Sequence, residues 1–292
     1  MKKPLPLTIV TAVLNEEKNL PDFLKYAKQL AEEIIVVIDY RTTDSSAKLS
    51  KNAGAKVLLD TGESKGIVFH NKNKGIKEAS NDWILVLDAD EKLDETAEKE
   101  LHQIVEGNGE PGKTMYQTGF INFEFGKYFT ESDQKDKKFI RLFKKGAFTY
   151  SISKTAEGLG IHTNALQKNR GNSFLLNIPI VRTWYIRSNP AIATMKGYIL
   201  HNSHPTVNDF IRKINLYSSR EAEVLYSHNP HPSMMILVLK MFWNPFKEFF
   251  YKYVVWKLYK EGSHGAIASI LYSFYHFLIV AKFATLVYKG KS

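Results

Sequence analysis

The chain contains 292 residues, of which 44% are hydrophobic and 24% are charged. This composition excludes an intrinsically disordered protein, and the length is sufficient for one large α/β domain with an appendage. Because the chain contains no cysteine, it can form neither a disulfide framework nor a thiolate metal site.

The net charge of +10 is distributed unevenly along the chain. Residues 1–110 contain 15 Lys and Arg against 20 Asp and Glu, a balance of −5. Residues 111–234 contain 17 against 8, or +9, and residues 235–292 contain 8 against 2, or +6. An acidic first part and a basic remainder indicate separate roles, and the basic part could face nucleic acid or an anionic membrane.

The first 110 residues alternate β-rich runs with segments of helical periodicity. The β-rich runs are residues 7–14, 34–39, 55–60 and 82–90, and the helical patterns are residues 15–33, 44–54 and 65–80. Apolar strands that alternate with helices predict an α/β fold, in which a mainly parallel sheet with right-handed crossovers is flanked by helices. Ligands of such folds bind at the carboxyl ends of the strands.

The pattern changes after residue 114. Aromatic, alternating segments at residues 115–129 and 137–150 predict strands and hairpins that extend the sheet. Residues 155–205 carry Gly, Asn and Pro without a clear period and predict loops. The apolar spacing over residues 207–227 predicts a helix.

From residue 233 the chain is apolar on nearly all sides, with recurring Trp, Tyr, Phe and Lys. Lysine can extend to water while aromatic rings lie at headgroup depth, so this segment predicts helices that lie in a membrane interface. The alternative is a helical bundle that packs on the α/β domain or on a second subunit. In the second case the protein would be a homo-oligomer. No nucleic-acid partner is expected, because the positive charge lies among apolar aromatic helices and not in a polar stripe.

The fourth β-rich run ends in a cluster of acids, Asp88, Asp90, Glu91 and Asp94. In an extended strand Asp88 and Asp90 point to the same side about 6.6 Å apart, which suits one hydrated divalent cation and its phosphate partner. Carboxylate oxygens favour Mg²⁺ or Mn²⁺. An EF-hand loop is excluded, because it needs Asp or Asn and then Gly where this chain has Lys92 and Leu93. Taken alone, such a pair of acids is also common in surface loops.

Other polar residues fall at the ends of neighbouring strands. Asp39 follows the second strand, where a carboxylate can accept hydrogen bonds from the base or ribose of a nucleotide. Asn15 and Glu16 follow the first strand, and Lys72, on the helix before the fourth strand, could provide a cation for a diphosphate. Singly, each is as readily a helix cap or a solvated charge. Together they predict an acidic metal cleft with nucleotide contacts, whereas the missing G-x-G-x-x-G and G-x-x-x-x-G-K-[ST] motifs argue against dinucleotide oxidoreductases and P-loop NTPases.

A resemblance to a known family is carried by the segments TIVTAVLNEEKNLPDFL, EEIIVVIDYRTTDSSAKLSKNAGAKV, NKGIKEASNDWILVLDADEKL and RLFKKG. Over about residues 7–145 the chain resembles the inverting family 2 glycosyltransferases, which have the Rossmann-like GT-A fold, and in particular the bacterial lipopolysaccharide-core β-glucosyltransferases.

The resemblance implies a nucleotide-diphosphate sugar donor, a Mg²⁺ or Mn²⁺ ion, and a lipid-linked or saccharide acceptor in cell-envelope glycan synthesis. It also implies a glycosyltransferase domain over residues 1–230 and a membrane-associated helical region over residues 231–292. The protein would then be peripheral on the cytoplasmic face of the inner membrane.

Individual residues acquire roles from the same resemblance. Asp39 matches the acid that binds the base, and the D-x-D pair that holds the metal is matched by Asp90 and Asp88. The first-strand donor loop is matched by Thr11, Asn15 and Glu16.

The resemblance also places positive charge near the diphosphate. Lys72 falls where relatives often carry Arg, and Arg141 would add a second cation. The chain departs from its relatives at Tyr40 and Arg41, which stand where small residues are usual. The identity of the donor therefore stays open.

A second departure concerns the general base. Relatives commonly carry Val-His-Glu, whereas this chain reads GIHTN, with Thr163 in place of the Glu. Glu157 and His162 are the remaining candidates, because a carboxylate or an imidazole can accept a proton near neutral pH. His162 is as readily a structural loop histidine. If neither acts, the protein is a catalytically impaired, membrane-docked nucleotide-sugar-binding or scaffold protein.

Overall fold

The structure is a computed structural model that describes residues 3–150, 161–163 and 189–290. The chain divides into two compact units. The first comprises Met1–Gly119 and Lys138–Leu200, and the second comprises Phe120–Lys137 and His201–Ser292.

Four parallel strands form one half of the main sheet in the first unit. They are β1 (Leu5–Val13), β2 (Ala31–Ile38), β3 (Lys56–Leu59) and β4 (Trp83–Val86), paired in the order β3-β2-β1-β4. The helices that connect them are α1 (Leu20–Leu30), α2 (Ser46–Asn52) and α3 (Val68–Lys77). The predicted alternation of strands and helices is confirmed over this region.

The other half of the sheet is built from later strands and contains antiparallel pairs. β8 (Phe139–Lys144) runs antiparallel to β4 and to β6 (Met115–Glu124). The order then continues from β6 to β11 (Ile192–His204) and β5 (Glu91–Leu93), and α4 (Glu95–Gln103) with a π-helical turn at Ile104–Asn108 follows β5. The predicted extension of the sheet by aromatic strands is confirmed.

A small second sheet and one correction complete the first unit. β9 (Phe148–Tyr150) pairs antiparallel with β10 (Ile161–Thr163). The expectation of loops over residues 155–205 is wrong for residues 161–163, which form β10, and for residues 192–204, which form β11. Its buried Ala193, Met195 and Ile199 are separated by polar residues, and pairing within a sheet gave this weak alternation a strand conformation.

The core of the first unit lies against the central strands. β4 is buried along its whole length, and β1 and β2 are almost entirely buried, as expected for a sheet that is covered on both faces. One core cluster joins Val10, Ile35 and Val37 of the parallel strands to Ile84 and Phe143. The rigid strands fix where the loops at their carboxyl ends lie.

α3 packs unusually close to the sheet because residue 75 is glycine. A Cβ atom at this position would lie 2.5 Å from Cγ1 of Val10 and 3.1 Å from Cγ2 of Val37. Both contacts are with β-branched side chains of the buried core, which cannot rotate away easily. Gly75 therefore sets the distance of α3 from β1 and β2.

Three long helices dominate the second unit, into which β6 and β11 continue and in which β7 (Lys127–Tyr128) pairs with β6. They are α5 (Val207–His228), which confirms the helix predicted from the sequence, α6 (Met234–Phe250) and α7 (Ser263–Lys289). Short helical turns lie at Asp133–Asp136, Tyr251–Val255 and Leu258–Glu261. In the described part of the chain, α7 alone is long and apolar enough to cross a membrane, by length and composition only.

The three helices pack on one another through one side of α7. A buried cluster joins Ala222 of α5 and Leu237 of α6 to four residues of α7, namely Val280, Phe283, Ala284 and Val287.

Lys252, in the helical turn after α6, has an ammonium group 3.4 Å from the centre of the Trp256 ring. Burial lowers the pKa of Lys252 to about 8.

We predict that Gly75→Ala destabilises the protein. In a solvent-exposed helix this substitution stabilises by up to about 1 kcal/mol, but here the methyl group meets the core, and overpacking costs about 1–3 kcal/mol. The free energy of unfolding measured in urea should therefore fall by about 1–2 kcal/mol. Lys77→Ala, on the exposed side of the same helix, should change it by less than about 0.5 kcal/mol. A Gly75→Ala variant as stable as the wild type would show that α3 is not held against the sheet in this way.

Candidate active site at the carboxyl edge of the sheet

The loop after β1 is tied to the loop after β2. Asn15 has a φ of 57°, in the left-handed region that Asn tolerates better than most residues. Its Oδ1 accepts a hydrogen bond from the backbone N–H of Thr43 at 2.8 Å, and the N–H of Glu16 donates to Oγ of Ser46 at 2.9 Å. The Glu16 carboxylate accepts a bond from Nδ2 of Asn19 at 2.7 Å. These residues hold the edge of the sheet together, in addition to any role toward a ligand.

Asp39 follows β2, and its carboxylate is already engaged. Nε of Arg41 donates to Oδ1 at 2.8 Å and Nη2 donates to Oδ2 at 3.0 Å, so the ion pair is bidentate. Asn71 of α3 adds a donor to Oδ2 at 3.3 Å. These hydrogen bonds and the charge of Asp39 raise the pKa of Arg41. Arg41, marked by the sequence only as a departure from relatives, is thus the main partner of the predicted base-binding acid.

Thr11 lies deeper in the sheet than the sequence suggested. It is fully buried in β1, and its Oγ1 has no hydrogen-bond partner among the described residues. Its predicted contact with a ligand stays a prediction.

One face of α3 carries the residues that meet β9. Phe69, Lys72 and Asn73 share this face because residues three and four apart in a helix are neighbours. The amide of Asn73 donates to the carbonyl of Tyr150 and accepts from its N–H, each at 2.8 Å. The Phe69 ring stacks on the Tyr150 ring with centroids 4.9 Å apart, and the Lys72 ammonium lies 5.9 Å from each ring centre. Lys72 is therefore buried, with only 4% of its surface exposed.

The acidic cluster forms a turn and not an extended strand. β4 ends at Val86, and the N–H of Glu91 donates to the carbonyl of Asp88 at 3.0 Å. The Glu91 carboxylate in turn accepts from the N–H of Asp88 at 2.8 Å. Asp88 and Asp90 are partly exposed while Ala89 between them is buried. The turn, and not strand geometry, now fixes the directions of the two acids.

A buried lysine and a largely buried arginine meet this turn. Nζ of Lys72 lies 2.6 Å from Oδ1 of Asp88, and Nη2 of Arg141 lies 2.8 Å from Oε1 of Glu91 and 3.8 Å from Oδ2 of Asp88. Burial opposes the charge on Arg141, but Glu91, and after it Tyr150, Asp88 and Asp90, raise its pKa. Arg141 therefore stays charged in a poorly solvated place.

The residues of the turn suit a divalent cation. Asp88 and Asp90 offer carboxylate oxygens, the donors that Mg²⁺ and Mn²⁺ take, and both reach the surface. Within the described residues no three His, Asp or Glu side chains are grouped as a complete metal site. An ion held here would need further oxygen ligands from water or from a phosphorylated ligand, which is how Mg²⁺ commonly binds in proteins.

The structure brings several of the predicted residues together. Neighbouring residues of α3 contact two of the acids, since Asn71 bonds Asp39 and Lys72 pairs with Asp88. Arg141 joins the same group from β8. Of the two candidate bases, Glu157 lies outside the described residues, and the backbone of His162 lies in β10 opposite Thr149.

Sequence reasoning missed the roles of Glu91, Arg41 and Asn73. Glu91 looked like one more acid in a run, yet it is buried and holds both Arg141 and the turn. The pattern D-A-D-E-K-L contained the signal, because the third acid, Glu91, stands two residues before apolar Leu93 and so points to the same side of a strand. Asn73 pairs with a residue 77 positions later, and no local pattern could show this.

An acidic turn and cations at the carboxyl edge of a parallel sheet are typical of α/β enzymes that bind phosphorylated ligands at that edge. The family model described as Glycosyl transferase family 2 matches residues 8–168, which is more than half of the chain. The chain belongs to this family, and the enzyme class predicted from the sequence, a glycosyltransferase, is confirmed.

Known proteins are similar over most of the length. An uncharacterized glycosyltransferase of Rickettsia typhi is 26% identical over 288 residues, covering 95% of this chain and 86% of the relative. The lipopolysaccharide core biosynthesis glycosyltransferase LpsC of Rhizobium meliloti is 25% identical over 283 residues, covering 95% and 92%. Among solved structures, S. aureus TarS 1–349 in complex with UDP aligns with a TM-score of 0.44 at 14% identity, covering 98% of this chain and 92% of TarS.

We predict that Glu91→Ala is strongly destabilising. It removes the closest carboxylate to the buried Arg141 and an acceptor of the turn, and breaking a buried pair costs about 3–5 kcal/mol. Urea denaturation should show this loss, and Glu91→Gln, which keeps the shape and hydrogen-bonding oxygen, should lose less. The control Glu63→Ala removes an exposed acid and should have little effect. Equal stability of Glu91→Ala and wild type would contradict the assigned role.

Proposed function

We propose that this protein is an inverting, metal-dependent glycosyltransferase that moves a sugar from a nucleotide-diphosphate donor, a UDP-sugar, to a lipid-linked or saccharide acceptor in cell-envelope glycan synthesis. The observation that carries the proposal is the pairing of buried Lys72 and Arg141 with the acidic turn at the carboxyl edge of a family 2 sheet. The similarity to LpsC supports a role in the envelope.

The cations would act on the leaving group. As the bond between the anomeric carbon and the diphosphate oxygen breaks, negative charge grows on the diphosphate. Lys72 and Arg141 are held by packing and by acids, so they need little rearrangement to stabilise that charge. Because both are largely shielded from water, their attraction to phosphate is stronger than that of surface cations.

A Mg²⁺ or Mn²⁺ ion would be held by Asp90 and Asp88. When bound, it would neutralise part of the diphosphate charge. In the absence of a donor, Asp88 balances Lys72 across 2.6 Å, so the same carboxylate keeps the cation in place before the substrate arrives.

The acceptor completes the reaction. Its hydroxyl oxygen would form the new bond to the anomeric carbon from the side opposite the diphosphate, and its proton would pass to a general base, which gives inversion. Glu157 and His162 remain the sequence candidates for this base. β10 aligns the backbone of His162 with β9, whose Tyr150 ring lies beside Lys72, which supports a place for His162 near the donor site.

The second unit offers a surface for a membrane. The outward side of α6 and the turn after it exposes large apolar side chains at helical spacing, with 54–74% of each exposed: Met235, Leu239, Phe242, Trp243, Phe246 and Phe250. Lys240 and Lys247 of the same helix lie at one border of this stripe and are also exposed. A helix with one aromatic, apolar side bordered by lysines binds in the interface of an anionic bilayer.

An anionic bilayer fits this α6 stripe better than a second copy of the chain does. Residues 235–292 carry a balance of +6, so two such surfaces would repel each other while anionic headgroups would attract them. α7 packs one side against α5 and α6, which favours a helix that stays within the unit over one that spans the bilayer. The protein would thus lie on the cytoplasmic face of the inner membrane, where a lipid-linked acceptor is accessible.

We predict that a UDP-sugar raises the melting temperature of the wild type by about 5 °C when Mn²⁺ is present, and by much less without it. Asp90→Ala should lose most of this gain, because it removes a carboxylate of the proposed metal site. Asp82→Ala, an exposed acid just before β4, should behave as wild type. Equal stabilisation of wild type and Asp90→Ala would reject the metal role of Asp90. Stabilisation without any turnover of the donor would favour the scaffold alternative.

We also predict that replacing Phe242, Trp243 and Phe246 together by Ser weakens binding to vesicles of phosphatidylcholine and phosphatidylglycerol by at least about tenfold. Co-sedimentation measures this, and wild-type binding should fall in high salt because lysines contribute. The control replaces Leu216, Tyr217 and Leu225 of α5, which are exposed by 41–50%, and should bind as wild type. If the wild type is a dimer, the triple variant is a monomer and both bind vesicles equally, the α6 stripe binds a second copy of the chain and not a membrane.

A further inference from the structure

The Asp39 carboxylate is fully engaged by the residue that departs from the family pattern. Both of its oxygens accept from the Arg41 guanidinium, at 2.8 and 3.0 Å, and the Arg41 N–H adds a third bond to Oδ1 at 3.0 Å. Asp39 is 5% exposed, whereas 29% of the Arg41 side chain is exposed. The Arg41 guanidinium therefore lies between the Asp39 carboxylate and solvent, and a ligand would reach the carboxylate from that side.

The Arg41 guanidinium also packs closely against the loop after β3, at Gly66. Its Nη2 donates to the carbonyl of Gly66 at 3.2 Å. A Cβ atom at residue 66 would lie 2.5–2.9 Å from Nη1, Cζ and Nη2 of Arg41, and the φ of 78° at Gly66 also favours glycine. Only a glycine allows this close approach. The loops after β2 and β3 therefore hold the Arg41 guanidinium between them.

One buried hydrogen-bond acceptor next to the Arg41 guanidinium, Oδ1 of Asn71, has no partner among the described residues. Asn71, 1% exposed, donates to Oδ2 of Asp39, but its own Oδ1 is buried and has no hydrogen-bond partner among the described residues. A buried polar atom without a partner is costly unless a ligand or water completes it. The place covered by Arg41 thus has the properties of a ligand subsite.

We propose that Arg41 is a specificity residue of the nucleobase subsite, which covers Asp39 until a base with an N–H donor displaces the guanidinium from the carboxylate. This inference rests on the proposed function, which uses a UDP-sugar donor, and on the role predicted for Asp39 from the sequence, the acid that binds the base. Uracil carries one ring N–H between two carbonyl groups, so it can donate to Asp39 while its carbonyl oxygens accept from donors nearby. A ligand without a base has no means to compete for the acid.

The displacement is within the reach of a nucleotide. Arg41 is partly exposed, so water can solvate its guanidinium after it leaves Asp39, and the N–H of the base replaces a hydrogen bond to the buried carboxylate. The released guanidinium stays close to the subsite, because the Tyr40 ring, half exposed, lies 5.6 Å from it. Arg41 therefore weakens the binding of every base but does not prevent that of one that pairs well with Asp39.

The experiment measures the affinity of the full chain for UDP and for pyrophosphate by calorimetry in Mn²⁺. Arg41→Ala should bind UDP about three- to tenfold more tightly than wild type, because the base no longer competes with the guanidinium. Its affinity for pyrophosphate, which has no base, should be unchanged or slightly lower. Lys48→Ala, which removes an exposed positive charge from α2, is the control for charge alone and should weaken both ligands slightly.

Arg41→Lys provides the second variant, since it retains the charge but not the bidentate pair. It should bind UDP with an affinity between those of wild type and Arg41→Ala. If wild type binds UDP and both Arg41 variants bind it no more tightly, the inference about Arg41 is overturned and the proposed function stands. If neither wild type nor variants bind UDP while all melt cooperatively, both are overturned.

Discussion

The site depends on two ion pairs whose cations are largely shielded from water. Lys72 and Asp88, 2.6 Å apart, and Arg141 and Glu91, 2.8 Å apart, lie where water cannot solvate them fully. A single charge in such a place would be costly, and each pair offsets that cost only while its geometry is kept. The acidic turn, the helix before it and the strand beside it are therefore fixed relative to one another. A phosphorylated ligand would meet cations that are already positioned.

α3 couples the packing of the core to the geometry of the site, because the same helix contacts both. Gly75 lets the helix approach β1 and β2, and this sets the position of every residue one turn earlier. From there Asn71 reaches Asp39, Lys72 reaches Asp88, and Asn73 holds the backbone of Tyr150. A shift of the helix by a fraction of an ångström would change all three contacts together. Substitutions in the core under α3 would consequently affect ligand binding as well as stability.

The second unit separates two kinds of apolar surface that look alike in sequence. α7 is the more continuous apolar segment, yet part of it is consumed in packing against α5 and α6. α6 is interrupted by lysines and by Pro245, yet it leaves more of its large apolar side chains exposed than α7 does. Exposure, and not hydrophobicity alone, distinguishes a docking surface from a core helix. The bundle and the membrane interpretations of this region are therefore compatible, each applying to a different helix.

The sequence by itself determined the order of strands and helices in the first unit, the helix after Pro205 and the family, because apolar periodicity and strand-end motifs are local properties. It also identified Asp39, Lys72, Asp88 and Arg141 as polar residues near one edge. Only the tertiary structure decided which of them touch. The partners of Asp88 and Tyr150 come from distant parts of the chain, and the bidentate bond of Arg41 to Asp39 depends on the close approach of a loop that begins more than 20 residues later. Contacts of this kind are fixed by packing and burial, which no short pattern encodes.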